Sequence, residues 1–237
     1  MSQKFSATIL TLFPEMFPGT LGHSLAGTAL KKGLWSLETL NIRDFTTDKH
    51  RTVDSPPYGG GDGMVLRPDI IHEAVIAAKA RQPDARLIYT SPRGRRFDQS
   101  LARELATQQM IILCGRFEGV DQRVIDHHQM EEISLGDFVL SGGEPAAIAM
   151  LDAVVRLIPG VMGKHGSASE ESFGLSEDYA RLIEHSQYTR PPLWMGYSVP
   201  ETLMSGNHEQ IKHWRLEQAR DLTRTRRPDL VRDKKEE

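Results

Sequence analysis

Cysteine is almost missing from this chain: Cys114 stands alone among 237 residues. One thiol cannot close a disulfide framework within a chain, nor build a multi-cysteine zinc site. Long apolar runs are missing too. The run of about eighteen apolar residues that a membrane-spanning helix needs does not occur, and the opening MSQKFSATILTLFP has no hydrophobic segment of signal-peptide length. A strong charge bias is the third absence. The net charge of −3 does not advertise nucleic-acid binding, so any such partner must be met by a local patch. These absences lead to the expectation of a soluble, cytoplasmic protein kept in a reducing compartment.

What is present is enough apolar material for a real core, 39% of residues, with an ordinary 26% charged. The most informative stretch is Ile111 to Glu144, IILCGRFEGVDQRVIDHHQMEEISLGDFVLSGGE. Two short apolar runs, Ile111 to Cys114 and Ile133 to Leu135, each stop directly at a glycine. Apolar strands that end at glycine are where a parallel α/β sheet exposes its backbone to a ligand. Arg86 to Thr90 is a third such strand, running into Ser91-Pro92-Arg93-Gly94. Three strand ends of this kind can converge on one ligand.

The rest of the chain alternates strand and helix. Phe5 to Phe13 and Leu34 to Ile42 read as strands; Leu21 to Lys31, Asp69 to Ala80 with an Asp cap, Gln99 to Gln108, Asp121 to His128 and Pro145 to Leu157 read as helices. Thr46 to Gly63, TTDKHRTVDSPPYGGGDG, is too polar and turn-rich for core and reads as a long functional loop. Residues 1–162 thus form one α/β domain with a mostly parallel sheet. Composition changes after Met162. Gly163 to Ser176 reads as a flexible linker, and residues 177–237 as a small all-helical domain. Within it Tyr188 to Pro192 reads as a turn. That domain also has an amphipathic helix at Ser205 to Arg220 and a basic tail carrying Arg224, Arg226, Arg227 and Arg232.

Taken on their residues alone, Cys114 reads as core, and His127 and His128 read as solvated or capping residues at a helix end. The glycine run Gly59 to Gly63 reads as a flexible loop that fits no phosphate-binding fingerprint.

LCGRFEGVDQR, SLGDFVLSGGE, LDAVVRLIPGV, HSQYTRPP and SGNHEQIKHWRLEQ, with YGGGDGM and YTSPRGRRFDQ, cover nearly the whole chain in one order. Together they resemble the bacterial tRNA (guanine-N1)-methyltransferase family (TrmD), of the SPOUT superfamily. The resemblance implies a deep trefoil knot near the end of the catalytic domain, S-adenosylmethionine as methyl donor, and a homodimer acting on the tRNA anticodon arm. The implied target is N1 of guanosine-37, just 3′ of the anticodon, and Mg2+ dependence is implied as well. Carried over by position, the cofactor pocket would be Tyr89, Thr90, Ser91 and Pro92, then Gly115, Arg116 and Glu118, then Ile133, Leu135, Gly136, Leu140, Gly142 and Gly143.

The family's proton-handling pair falls on Arg156 and Glu171, with Glu170 beside it. Glutamate stands here where the family commonly has aspartate, and Asp62 where it commonly has proline. RNA contacts are expected at Lys49, Arg51, Tyr58 and Gly59, and at Arg224, Arg226 and Arg227. The chemistry fits these residue types. Guanine N1 is a poor nucleophile until its proton leaves to a carboxylate, and the charge then spreading to O6 suits a guanidinium. A ribose 2′-O-methyltransferase of the same superfamily and a non-catalytic RNA-binding protein remain the alternatives at this point.

Overall fold

The computed structural model describes residues 4–162, 171–174 and 176–231. Of the expected linker, residues 163–170 and 175 lie outside the described residues, as do Glu170 and the tail residue Arg232. The chain divides into two compact units, Met1–Gly163 and Lys164–Glu237.

The first unit runs β1 (Ser6–Thr11), α1 (Ser24–Lys31), β2 (Ser36–Asn41), β3 (Asp54–Ser55), β4 (Val65–Leu66), α2 (Pro68–Arg81), β5 (Arg86–Arg96), α3 (Gln99–Leu105), β6 (Met110–Cys114), α4 (Gln122–His128), β7 (Glu131–Ser134) and α5 (Glu144–Val155). Five strands form one sheet in the order β2-β1-β6-β5-β7, every pair parallel. Parallel neighbours need crossovers, and crossover helices cover both faces of a sheet. The side-chain alternation shows it. Met110, Ile112 and Cys114 enter one apolar core with Ile9 and Ile88, while Ile111 and Leu113 enter the other with Leu10, Leu87 and Tyr89. A strand buried on both faces has no polar side, which is why β6 reads as an unbroken apolar run.

Several local expectations need correction. β5 does not stop at Thr90: its pairing with β7 resumes at Arg95, so Ser91 to Gly94 form a bulge inside one long strand. Gly94 makes this possible, because a Cβ there would meet the backbone carbonyl carbon of Glu132. The cap of α2 is Arg67, with no side-chain cap bond; Pro68 starts the helix, and Asp69 in its first turn pairs with Arg67 instead. The long polar loop holds β3, which pairs antiparallel with β4.

The second unit is not all-helical. It contains a short hairpin, β8 (Leu193–Trp194) with β9 (Tyr197–Ser198), before α6 (Glu201–Met204) and α7 (His208–Arg226). Met195 and Gly196 both take positive φ, the backbone that a two-residue hairpin turn requires. Its small core is Tyr179, Leu182 and Ala219 with Leu216 beside them. Thr223 ties helix to loop, accepting from the Ile183 N–H at 3.0 Å and donating to the Ala219 carbonyl at 2.6 Å. α7 also runs further than expected, so Arg224 and Arg226 sit on its last turn rather than in a tail. Among the described residues, no helix is long and apolar enough to cross a membrane.

Candidate functional site

β6, β5 and β7 are adjacent and parallel, so the segments that follow their pocket-side ends emerge along one edge of the sheet. Those segments enclose a cavity of about 380 Å³, within the usual range for a small-molecule site of about 300–1,000 Å³. The structure brings all thirteen expected cofactor residues, from Tyr89 to Gly143, onto the wall of this one cavity. It adds residues that sequence reasoning missed: Arg93, Phe117, Phe138 and Val139. The two phenylalanines are about half exposed. An aromatic inside a glycine-rich strand end, as in GRFEG and LGDFV, was the available signal, since such a ring has no core to join and is free to cover a ligand.

The glycines are needed chiefly by the protein itself. A Cβ on Gly143 would meet Thr90 Oγ1 and stand 2.8 Å from Cys114 Cα; one on Gly142 would meet the Arg116 guanidinium. A Cβ on Gly115 would lie 2.8 Å from the Tyr89 ring. The Gly143 N–H donates to the Gly115 carbonyl at 2.9 Å, stitching the third loop to the second. On sequence alone these glycines make room for a ligand; in the structure they allow loop-on-loop packing first, with the ligand-sized space as its result.

One wall residue, Arg116, belongs to a buried ion pair. Glu144 is 0% exposed at the start of α5, accepts from the Thr11 hydroxyl at 2.7 Å, and meets Arg116 Nη2 at 2.9 Å. Arg116 also donates to the Ser141 carbonyl at 3.1 Å and lies over the Phe13 ring at 4.4 Å. One guanidinium thus joins the end of β1, the loop after β6 and the loop after β7. Cys114 is wholly buried among core residues, as its sequence reading expects, and burial with Glu144 nearby pushes its thiol well above the ordinary value. Burial likewise raises the Tyr89 phenol.

The glycine-rich loop is tied to the cavity at its base. The Glu118 N–H donates to the Met64 carbonyl and the Leu66 N–H to the Gly119 carbonyl, both at 2.9 Å. At its tip Gly59, Gly60 and Gly61 have open space where a Cβ would stand, and Tyr58 is 97% exposed. Lys49 is exposed, but Arg51 is engaged by Asp44 and the Arg43 carbonyl in the turn just before the loop.

Arg156 caps the end of α5, half-buried, in the first unit; Glu171, also half-buried, belongs to the second. Arg224 and Arg227 pair with Asp221 and Asp229 at 3.2 and 2.7 Å on the surface. The second unit also has a cleft of about 650 Å³ bordered by Tyr188, Arg190, Pro191, Pro192 and Arg215. The proline segment that reads as a turn in the sequence is thus one wall of a cleft.

Comparison with known proteins agrees across nearly the full length. The family model described as "tRNA (Guanine-1)-methyltransferase TrmD" matches residues 5–233. A tRNA (guanine-N(1)-)-methyltransferase of Mesorhizobium japonicum is 56% identical over 228 residues, 96% of each chain. Those of Rhodospirillum rubrum and Rickettsia akari are 55% and 52% identical, covering 94% and 96% of this chain and 91% and 97% of their own.

Proposed function

Since the chain belongs to the TrmD family of tRNA (guanine-N1)-methyltransferases, which take their methyl group from S-adenosylmethionine, we propose that its target is guanosine-37, next to the anticodon. The cavity at the ends of β5, β6 and β7 would hold the methyl donor. Family membership replaces the two alternatives that the residues alone left open, the ribose methyltransferase and the non-catalytic RNA binder. The observation that carries the reading is the convergence of all three glycine-bearing loops on one cavity, in a chain matched by the family model over residues 5–233.

The residues fit such a ligand. The loop backbone around the cavity, the Tyr89 ring, and the half-exposed Phe117 and Phe138 offer hydrogen-bonding edges and apolar faces for an adenosine. S-adenosylmethionine, when bound, brings a methyl already activated on a sulfonium, so no covalent enzyme intermediate is required. Glu171 then takes the N1 proton of guanine, a role worth about 10²–10⁴-fold in rate, and Arg156 stabilises the negative charge that spreads to O6.

In this reading residues 1–162 are the catalytic domain, with the loops after β6 and β7 threaded as a trefoil knot. Residues 163–176 link it to the tRNA-binding domain, 177–237. A homodimer in which the linker of one subunit serves the other's cavity, implied by the family, is part of the proposal, as is cytoplasmic residence. Lys49, Tyr58 and Gly59 on the open loop, with Arg51, meet the anticodon arm. Arg224, Arg226 and Arg227 meet backbone phosphate, the surface ion pairs of Arg224 and Arg227 being worth only about 0–1 kcal/mol and easily exchanged.

Mg2+ is the family's expectation, but a hard cation needs oxygen donors. Such a cation is commonly held by one or two carboxylates with waters and substrate groups rather than by an all-protein cage, and no step here is routed through it.

Labelled S-adenosylmethionine and tRNA transcripts carrying guanosine or adenosine at position 37 test the proposal. Nuclease digestion and mass analysis should find the label in 1-methylguanosine from position 37 of the first transcript and nowhere in the second. Label at another guanosine would refute the assignment of the target.

A further inference from the structure

We propose that His72, His127 and His128 form a binding site for a late first-row divalent cation of the Zn2+ class, clipping α2 to α4. None of the three lines the methyl-transfer cavity. Their three ring nitrogens lie within 4.8 Å of one another, and the ring centroids are 4.8 to 5.4 Å apart. His72 Nδ1 and His128 Nε2 face each other at 2.9 Å. With Zn–N bonds of about 2.0–2.1 Å, tetrahedral ligands stand roughly 3.3–3.4 Å apart. The closest pair therefore opens by a few tenths of an ångström. The widest closes by roughly 1.4 Å, within reach of side-chain rotation at the exposed His127.

The backbone builds this cluster by bringing two helices together. His72 projects from the early part of α2, and α2 packs on α4. α4 ends directly after His128, because Gln129 takes a left-handed conformation and its N–H turns back to the Asp126 carbonyl at 3.1 Å. Two consecutive histidines at that last turn can then both lean toward His72.

The donor set decides the cation. Three imidazoles and no carboxylate suit zinc, nickel, cobalt or copper and not Mg2+ or Ca2+. A metal ligand must be a neutral imidazole. His127 is exposed, giving the ion an entry path and leaving its remaining coordination position to water. A chain whose single cysteine excludes multi-cysteine zinc sites still has this all-nitrogen one.

The test is a calorimetric titration of the full-length, tag-free protein with Zn2+ alone. It is paired with thermal unfolding, and with Co2+ as a probe whose visible spectrum reports nitrogen coordination. One ion per chain should bind and raise the melting temperature, and excess Mg2+ should not compete. Outer-shell partners of metal sites are worth about 10–100-fold in affinity, so losing a direct ligand must cost at least that much. His72→Gln and His127→Gln should each weaken Zn2+ binding about tenfold or more and lose the Co2+ spectrum, while His213→Gln on α7 should change neither. His127 is exposed, so its variant will fold even if the His72 variant does not. Absence of a Zn2+ heat in the wild type would overturn the proposal, and so would unchanged affinity in His127→Gln.

Discussion

Gly143 concentrates the site's demands in one residue. A methyl there meets Thr90 Oγ1 and comes within 2.8 Å of the Cys114 backbone, and backbone cannot move aside as a flexible side chain can. Gly143→Ala is therefore expected to push the third loop off the second and to weaken S-adenosylmethionine binding about tenfold or more, which is about 1.4 kcal/mol. Gly60→Ala is the contrast. Its φ of +79° makes alanine strained by about 1 kcal/mol, but nothing stands within 4 Å, so cofactor affinity should not change. Calorimetry with folded variants checks both. The presence of glycine at these strand ends was legible in the sequence; its reason was not. Thr90 and Cys114 come from different strands, and no linear pattern says that they press on residue 143.

At the scale of elements, the Arg116–Glu144 pair holds the start of α5 against the ends of β1 and β6. Breaking a buried pair leaves a charge uncompensated, typically at about 3 kcal/mol or more. Glu144→Ala should accordingly lower the melting temperature by several degrees, and a shift under about 1 °C would show that the pair carries no stability. α7 makes a different prediction. Replacing Arg224, Arg226 and Arg227 with alanine should weaken tRNA binding and flatten its salt dependence by about 0.7–0.9 for each phosphate no longer neutralised. Filter binding over a salt series reads this slope, and an unchanged slope would mean that the arginines do not touch phosphate. Sequence periodicity ends α7 at Arg220 because the charged run after it has no apolar face; the helix continues to Arg226, held by Thr223 and Ala219 on its buried side. The false strand end at Thr90 has a related cause. Ser-Pro-Arg-Gly is turn chemistry, and only the partner strand β7 shows that the chain resumes its ladder afterwards.

Across the whole molecule, the parallel sheet was readable because strands buried on both faces cannot hide their apolar composition. The hairpin Leu193 to Ser198 was not, being two residues on each side and exposed on both. Nor was the histidine cluster, which joins positions 56 residues apart through helix packing alone. The proposed chemistry joins parts just as distant, a cavity in the first unit and a carboxylate in the second. Its most direct test is the single-turnover rate of methyl transfer by Glu171→Gln, with tRNA and S-adenosylmethionine affinities measured alongside. Glutamine keeps the shape and removes the basicity, so the rate should fall about 10²–10⁴-fold while both affinities stay near wild type. A Glu171→Gln protein that transfers the methyl group at the wild-type rate would contradict the account.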